Sequence, residues 1–78
     1  MSFSIHVADF EQDGMRARVT LLQNAPDSKR FAVRFIDMDA QCDVAEYRFA
    51  DEALAVLAAE GLVKGTAAPR GYTMVTRF

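Results

Sequence analysis

Gln12-Asp13-Gly14-Met15-Arg16-Ala17-Arg18-Val19-Thr20-Leu21 is the stretch that decides the fold. Asp-Gly between alternating segments favours a tight hairpin, because glycine takes positive φ without a steric penalty. After the turn, Met15, Ala17, Val19 and Leu21 fall on one side of an extended chain. Arg16, Arg18 and Thr20 fall on the other, the period-2 pattern of a half-buried strand. Upstream, Phe3, Ile5 and Val7 alternate with Ser4, His6 and Ala8 and supply the first strand. That phase, carried on, leaves Phe10 facing outward.

The same alternation continues downstream. A loop over Asn24-Ala25-Pro26-Asp27-Ser28 leads to a third strand with Phe31, Val33 and Phe35 inward and Arg34 outward. The connection from Asp37 to Asp43 leads to a fourth, with Ala45, Tyr47 and Phe49 inward against Glu46 and Arg48. The period then changes. Asp51 is a good N-cap, Glu52 suits the positive end of a helix dipole, and Leu54, Leu57 and Ala58 form an i, i+3, i+4 stripe expected to face the core. Gly61 is the expected helix stop, with Leu62 folding back on Leu57 and Lys64 just beyond. A linker from Gly65 to Gly71 leads to a last strand, with Tyr72, Met74 and Phe78 inward and Thr73, Val75 and Arg77 outward.

These elements predict a single domain over residues 1–78 of the α+β class: a ββββαβ chain, an antiparallel five-stranded sheet and one helix on one face. Strands 1 to 4 form a meander. If the helix carries the chain back across the sheet, strand 5 runs antiparallel to strand 1 and pairs beside it, giving the order 5-1-2-3-4.

Composition excludes some classes. Of 78 residues, 51% are hydrophobic and 26% charged, a globular balance. The net charge of −2 gives no global attraction to nucleic acid or membrane. The single cysteine, Cys42, allows no intramolecular disulfide, and a reducing cytoplasm fits best. No signal-peptide pattern or membrane-length apolar run is visible, so no membrane partner is expected.

Three features are candidates for binding. Arg16, Arg18, Arg34, Arg48 and Arg77 share the outward phase with His6, so one sheet face would carry a field of guanidiniums. Such forks suit phosphate or carboxylate. The aromatics lie in the inward phase, which favours backbone or acidic-protein contact over base stacking. An ordinary solvated face is the plain alternative. Second, Asp9, Glu11 and Asp13 belong to one hairpin tip and Asp37, Asp39 and Asp43 to the other, an acidic rim able to imitate a phosphate run. Turn preference alone also explains acids there. The rim lacks calcium-loop spacing, so no metal is expected. Third, Ala55, Ala59 and Val56 on the helix back could meet a partner or a second copy; a bland alanine surface is the alternative. With one histidine and no glycine-rich phosphate loop, neither catalysis nor a cofactor is expected.

Tyr47-Arg48-Phe49-Ala50-Asp51-Glu52, a strand running straight into a capped helix after a meander of Arg- and Asp-bearing strands, resembles small phage-encoded anti-CRISPR inhibitors. The resemblance covers this segment together with size and character. It implies a non-catalytic inhibitor that binds a protein or nucleoprotein complex, such as a CRISPR–Cas assembly, through charged surfaces. A direct nucleic-acid binder using the arginine face is a second expectation. A homodimeric accessory subunit, joined through the alanine-rich helix or through strand 4 as a sheet edge, is a third.

Overall fold

The computed structural model describes residues 4–78, so the inward place expected for Phe3 lies outside the described residues. The elements are β1 (Ser4–Gln12), β2 (Met15–Leu22), a single 3-10 turn (Asp27–Lys29), β3 (Phe31–Asp37), β4 (Cys42–Phe49), α1 (Glu52–Lys64) and β5 (Met74–Arg77). The α+β class is as expected: five antiparallel strands in one open sheet, with one helix on one face.

The β1–β2 turn forms as its sequence dictates. Asp13 (φ 51°) and Gly14 (φ 79°) both take left-handed conformations, the pairing that matches strand twist in a two-residue hairpin. On the covered face, Ala17, Val19, Val33 and Phe49 are fully or almost fully buried, with Ala45 and Tyr47 beside them.

The strand order is β1-β2-β3-β4-β5, not 5-1-2-3-4. β5 pairs antiparallel with β4. The linker is the reason. The helix does not stop at Gly61; it runs on to Lys64, and Gly65 ends it at φ 66°, with its N–H and that of Thr66 donating to Leu62 and Gly61 carbonyls. Thirteen helical residues advance the chain about 20 Å. Residues 65–73 then run back along the helix, which cancels that advance. A Cβ added at Gly61 would sit 3.3 Å from the Ala67 carbonyl oxygen, and one at Gly71 would sit 3.0 Å from Leu54 Cδ1. The chain thus returns to where β4 ended, and Thr73 N–H donates to the Arg48 carbonyl at 2.8 Å.

The helix also presents a different stripe. Ala55, Ala58, Ala59, Gly61 and Val63 are buried, while Leu54 is partly exposed and Leu57 is 69% exposed. The sheet's inner face already carries Phe10, Phe31, Phe35, Tyr47 and Phe49, so the space left beneath the helix suits small side chains. Leu54 and Leu57 instead border a cleft of about 160 Å³ shared with Ala67, Ala68 and Pro69 of the returning linker. The alanine back face expected for a partner is therefore inside the protein, and β4 lies between β3 and β5 rather than at an edge. Neither surface named for a homodimer is open in the way expected: Ala55 and Ala59 are buried, and Ala45 to Arg48 of β4 pair with β5.

Candidate functional site: the open sheet face

Two β-bulges govern the chemistry of the uncovered face. In β1 the register shifts between His6 and Ala8, leaving Val7 without a direct partner. In β4 it shifts across Val44: Phe35 pairs with Ala45, and Ile36 with Asp43. An unpaired residue advances the chain by one, so every side chain beyond it changes face. Phe10, expected outward, turns in against the core opposite Ala17. Asp9 and Glu11 leave the hairpin tip for the open face, opposite Arg18 and Arg16. Asp43 joins them opposite Ile36.

The arginine field is thereby neutralised. Glu11 accepts from Arg16 at 3.2 Å and Asp9 from Arg18 Nε at 3.1 Å. Arg34 donates Nη1 to Asp43 at 2.7 Å, and Nε and Nη2 to Glu46 at 3.0 and 2.5 Å. Arg48 Nε donates to the other oxygen of Glu46 at 2.8 Å, and its Nη1 reaches the Lys29 carbonyl. Among the described residues, four guanidiniums (Arg16, Arg18, Arg34, Arg48) meet four carboxylates (Asp9, Glu11, Asp43, Glu46), so their charges on this face sum to zero apart from His6, whose Nε2 lies 3.7 Å from Asp9.

Glu46 is the hub, its side chain only 12% exposed. Burial pushes its carboxyl up, but the hydrogen bonds from Arg34 and Arg48 outweigh burial and hold it below the ordinary carboxylate value. The hydrogen bond to Glu46 in turn raises Arg34, so both stay charged. Phe78 completes the site: its ring centroid lies 5.2 Å from the Arg34 guanidinium, within cation–π range.

Arg77 does not belong to this face. It pairs with Ala45 and so takes the phase of the covered side, as Val75 does opposite Tyr47, while Met74 and Thr76 lie with Arg48 and Glu46. The inward and outward sets foreseen along the last strand are reversed for Met74, Val75, Arg77 and Phe78, because pairing with β4 rather than β1 fixes their phase. Tyr72 does turn inward, its ring 5.3 Å from that of Tyr47 at 65°.

Of the acidic rim, Asp13, Asp37 and Asp39 remain at the tips. Asp37 Oδ1 accepts the amides of Asp39 and Ala40 at 3.1 Å each, and so shapes its own turn. The Asp39 carboxylate lies over Gly14, and the Met38 amide donates to the Gly14 carbonyl, joining the two tips. Among the described residues no group of three or more His, Cys, Asp or Glu side chains is placed to hold a metal ion. Cys42 is exposed at the tip end, opposite Asp37, several residue rows from His6, so the two are not brought together.

The open face is concave. Thr20 and Ala32 put short side chains where their neighbours carry long ones, and Leu22, Asn24 and Ala25 form a wall at one end. The trough encloses about 660 Å³ and is also lined by Arg18, Arg34, Arg48 and Glu46. A signal for the bulges was present in the sequence. In both strands the apolar phase slips at a Val-Ala doublet, Val7-Ala8 and Val44-Ala45.

No family model matches the chain, and no curated protein or solved structure matches it either.

Proposed function

We propose that this is a non-catalytic binding domain that meets a protein partner through the trough on the open face of its sheet. The observation that supports this most is the charge-balanced network lining a concave surface. Arginines held rigidly by carboxylates have already lost their side-chain freedom, so docking orders little more. The alternating signs select a complementary surface rather than any anion. Direct nucleic-acid binding is the weaker reading, because a phosphate backbone needs uncompensated positive charge and Asp9, Glu11, Asp43 and Glu46 remove it. The inhibitor role against a CRISPR–Cas or similar nucleoprotein complex is one instance of this reading, supported by the resemblance of the strand-to-helix segment alone. A cytoplasmic setting belongs to the same proposal. Among the described residues no helix is long and apolar enough to cross a membrane.

Cross-linking capture with wild type, Thr20→Tyr and Leu57→Gln tests the reading. Tyrosine at position 20 fills the trough without altering a charge, whereas Leu57 lies on the opposite layer. Loss of the captured partner in Thr20→Tyr alone supports the proposal. Retention in Thr20→Tyr, or steeply salt-dependent binding of DNA or RNA by the wild type, overturns it.

A further inference from the structure

One row across the middle of the open face reads Asp9, Arg18, Arg34, Glu46 on four adjacent strands. Its centre is unusual: Arg18 and Arg34 are direct cross-strand partners. Like charges in that position destabilise a sheet. Each outer carboxylate bonds to only one of the pair, Asp9 to Arg18 and Glu46 to Arg34. Arg34 is committed, with Nε, Nη1 and Nη2 all donating to Asp43 or Glu46. Arg18 is not. Among the described residues it donates only through Nε, to Asp9, leaving Nη1 and Nη2 without partners on a side chain 45% exposed. Both arginines line the trough, next to the floor made by Thr20 and Ala32.

The geometry points to a carboxylate-recognition site: an acidic side chain of the partner protein enters the trough over Thr20 and Ala32 and is held by the two free terminal nitrogens of Arg18, with Arg34 as the second positive charge. This rests on the docking reading above and names the partner's chemistry. A planar guanidinium with its Nη1 and Nη2 unengaged has the donor geometry for two parallel bonds to a carboxylate. The anion would also sit where the unbridged like charges face each other. A phosphate chain fits less well. Along this row the positive strip is two strands wide, about 10 Å, and is bordered by Asp9 on β1 and by Glu46 on β4. A polyanion laid across the strands in this row meets a carboxylate at either end, whereas a single acidic side chain does not.

The test is a titration of the full chain followed by arginine Nε–Hε and backbone amide NMR signals. The probes are acetyl-Ala-Ala-Glu-Ala-Ala-amide, its Gln counterpart, inorganic phosphate and a single-stranded oligothymidylate. The Glu peptide, taken to about 20 mM to reach a millimolar site, is expected to shift the Nε signals of Arg18 and Arg34 and the amides of Thr20 and Ala32. Arg18→Gln is expected to weaken that binding roughly tenfold, the loss of a charged hydrogen-bond pair. Arg70→Gln, an exposed change on the linker, is expected to leave it intact. Because Arg18→Gln removes one of a repelling pair, its Tm is expected to equal or exceed that of wild type, which separates lost binding from lost folding. Equal shifts with the Gln peptide, full affinity in Arg18→Gln, tighter binding of phosphate or the oligonucleotide, or no shift with the Glu peptide each overturn the inference. If the Glu peptide fails while Thr20→Tyr still abolishes partner capture, the carboxylate site falls and the docking reading stands.

Discussion

Replacing Glu46 by Gln removes the charge that joins β3 to β4 and to the arginines of the open face. The side chain is 12% exposed and accepts three hydrogen bonds, two from Arg34 and one from Arg48. A hydrogen bond to a charged group contributes about 1.5–3 kcal/mol when shielded from water, and an exposed ion pair about 0–1 kcal/mol. Glu46 lies nearer the first limit. The Arg34 side chain, 39% exposed, lies nearer the second and rehydrates in part once its partner is gone. Glutamine also turns an amide NH₂ toward guanidiniums that have only donors to offer. The expected cost is about 2 kcal/mol, a fall in Tm of about 8–16 °C for a domain of this size. The pH dependence carries a sign. The folded state holds Glu46 below its ordinary value of 4.5, so its contribution is complete above that value and is lost as pH falls through the folded one. The wild type and Glu46→Gln should therefore differ most at neutral pH and converge as pH drops below 4.5. Thermal unfolding followed by circular dichroism at a series of pH values reads both effects. A Tm change under about 3 °C at pH 7, or a gap that does not narrow in acid, would refute the hub role. Glu11→Gln, at the more exposed rim of the same face, should cost under about 0.5 kcal/mol.

Two further substitutions test the covered layer and the hairpin by urea unfolding. Ala59→Leu overfills the space between helix and sheet and is expected to cost about 1–3 kcal/mol, whereas Leu57→Gln, on the outer side of the same helix, should stay within about 0.5 kcal/mol of wild type; the reverse ranking would put the leucines on the sheet. Gly14→Ala should cost about 1–2 kcal/mol, because φ 79° is strained for any side chain. A second change, Asp39→Ala, should not restore it: the Asp39 carboxylate that crowds the new Cβ is the end of an exposed side chain and can swing aside, so recovery in the double variant would place the cost in the clash instead.

The α+β class and the inner sides of β2, β3 and most of β4 were legible because alternation there is unbroken: Ala17 and Val19, Phe31, Val33 and Phe35, Tyr47 and Phe49 each lie where period 2 puts them. The helix existed where its N-cap indicated, and Asp51 Oδ1 accepts the Ala53 amide at 2.8 Å. Its orientation was not legible. Leucine outranks alanine in any hydrophobic stripe, yet the side that fits depends on how much volume the sheet aromatics have already filled, and that is a tertiary quantity. The place of β5 was hidden for a similar reason. Residues 65–73 are compatible with crossing the sheet or with retracing the helix, and the contacts of Ala67 with Gly61 and of Leu54 with Gly71 decide between them.

The bulges change the chemistry of the open face as well as the register of the strands. A strict period-2 reading carries one phase through Val7-Ala8 and through Val44-Ala45, and so assigns Asp9, Glu11 and Asp43 to turns. Yet the apolar phase itself shows the slip: Ile5 and Val7 are odd, Ala8 and Phe10 even; Val44 is even, Ala45, Tyr47 and Phe49 odd. Two adjacent apolar residues within an alternating run mean either that one is exposed or that the strand bulges. In β1 the first option would put Phe10 in water, at about 1.5–3 kcal/mol for the ring left exposed; in β4, where Tyr47 and Phe49 face inward either way, an unbroken phase would turn the Asp43 carboxylate toward the covered side. A bulge costs one unpaired residue and the added twist, so it prevails. The slip that buries Phe10 sends Asp9 and Glu11 onto the arginine face, and the slip at Val44 sends Asp43 there, each to within hydrogen-bond distance of an arginine. The charge pattern of the face is thus a consequence of where the two strands bulge, in β1 to bury Phe10. A partner of this surface meets a pre-paired network of arginines and carboxylates rather than a field of free arginines.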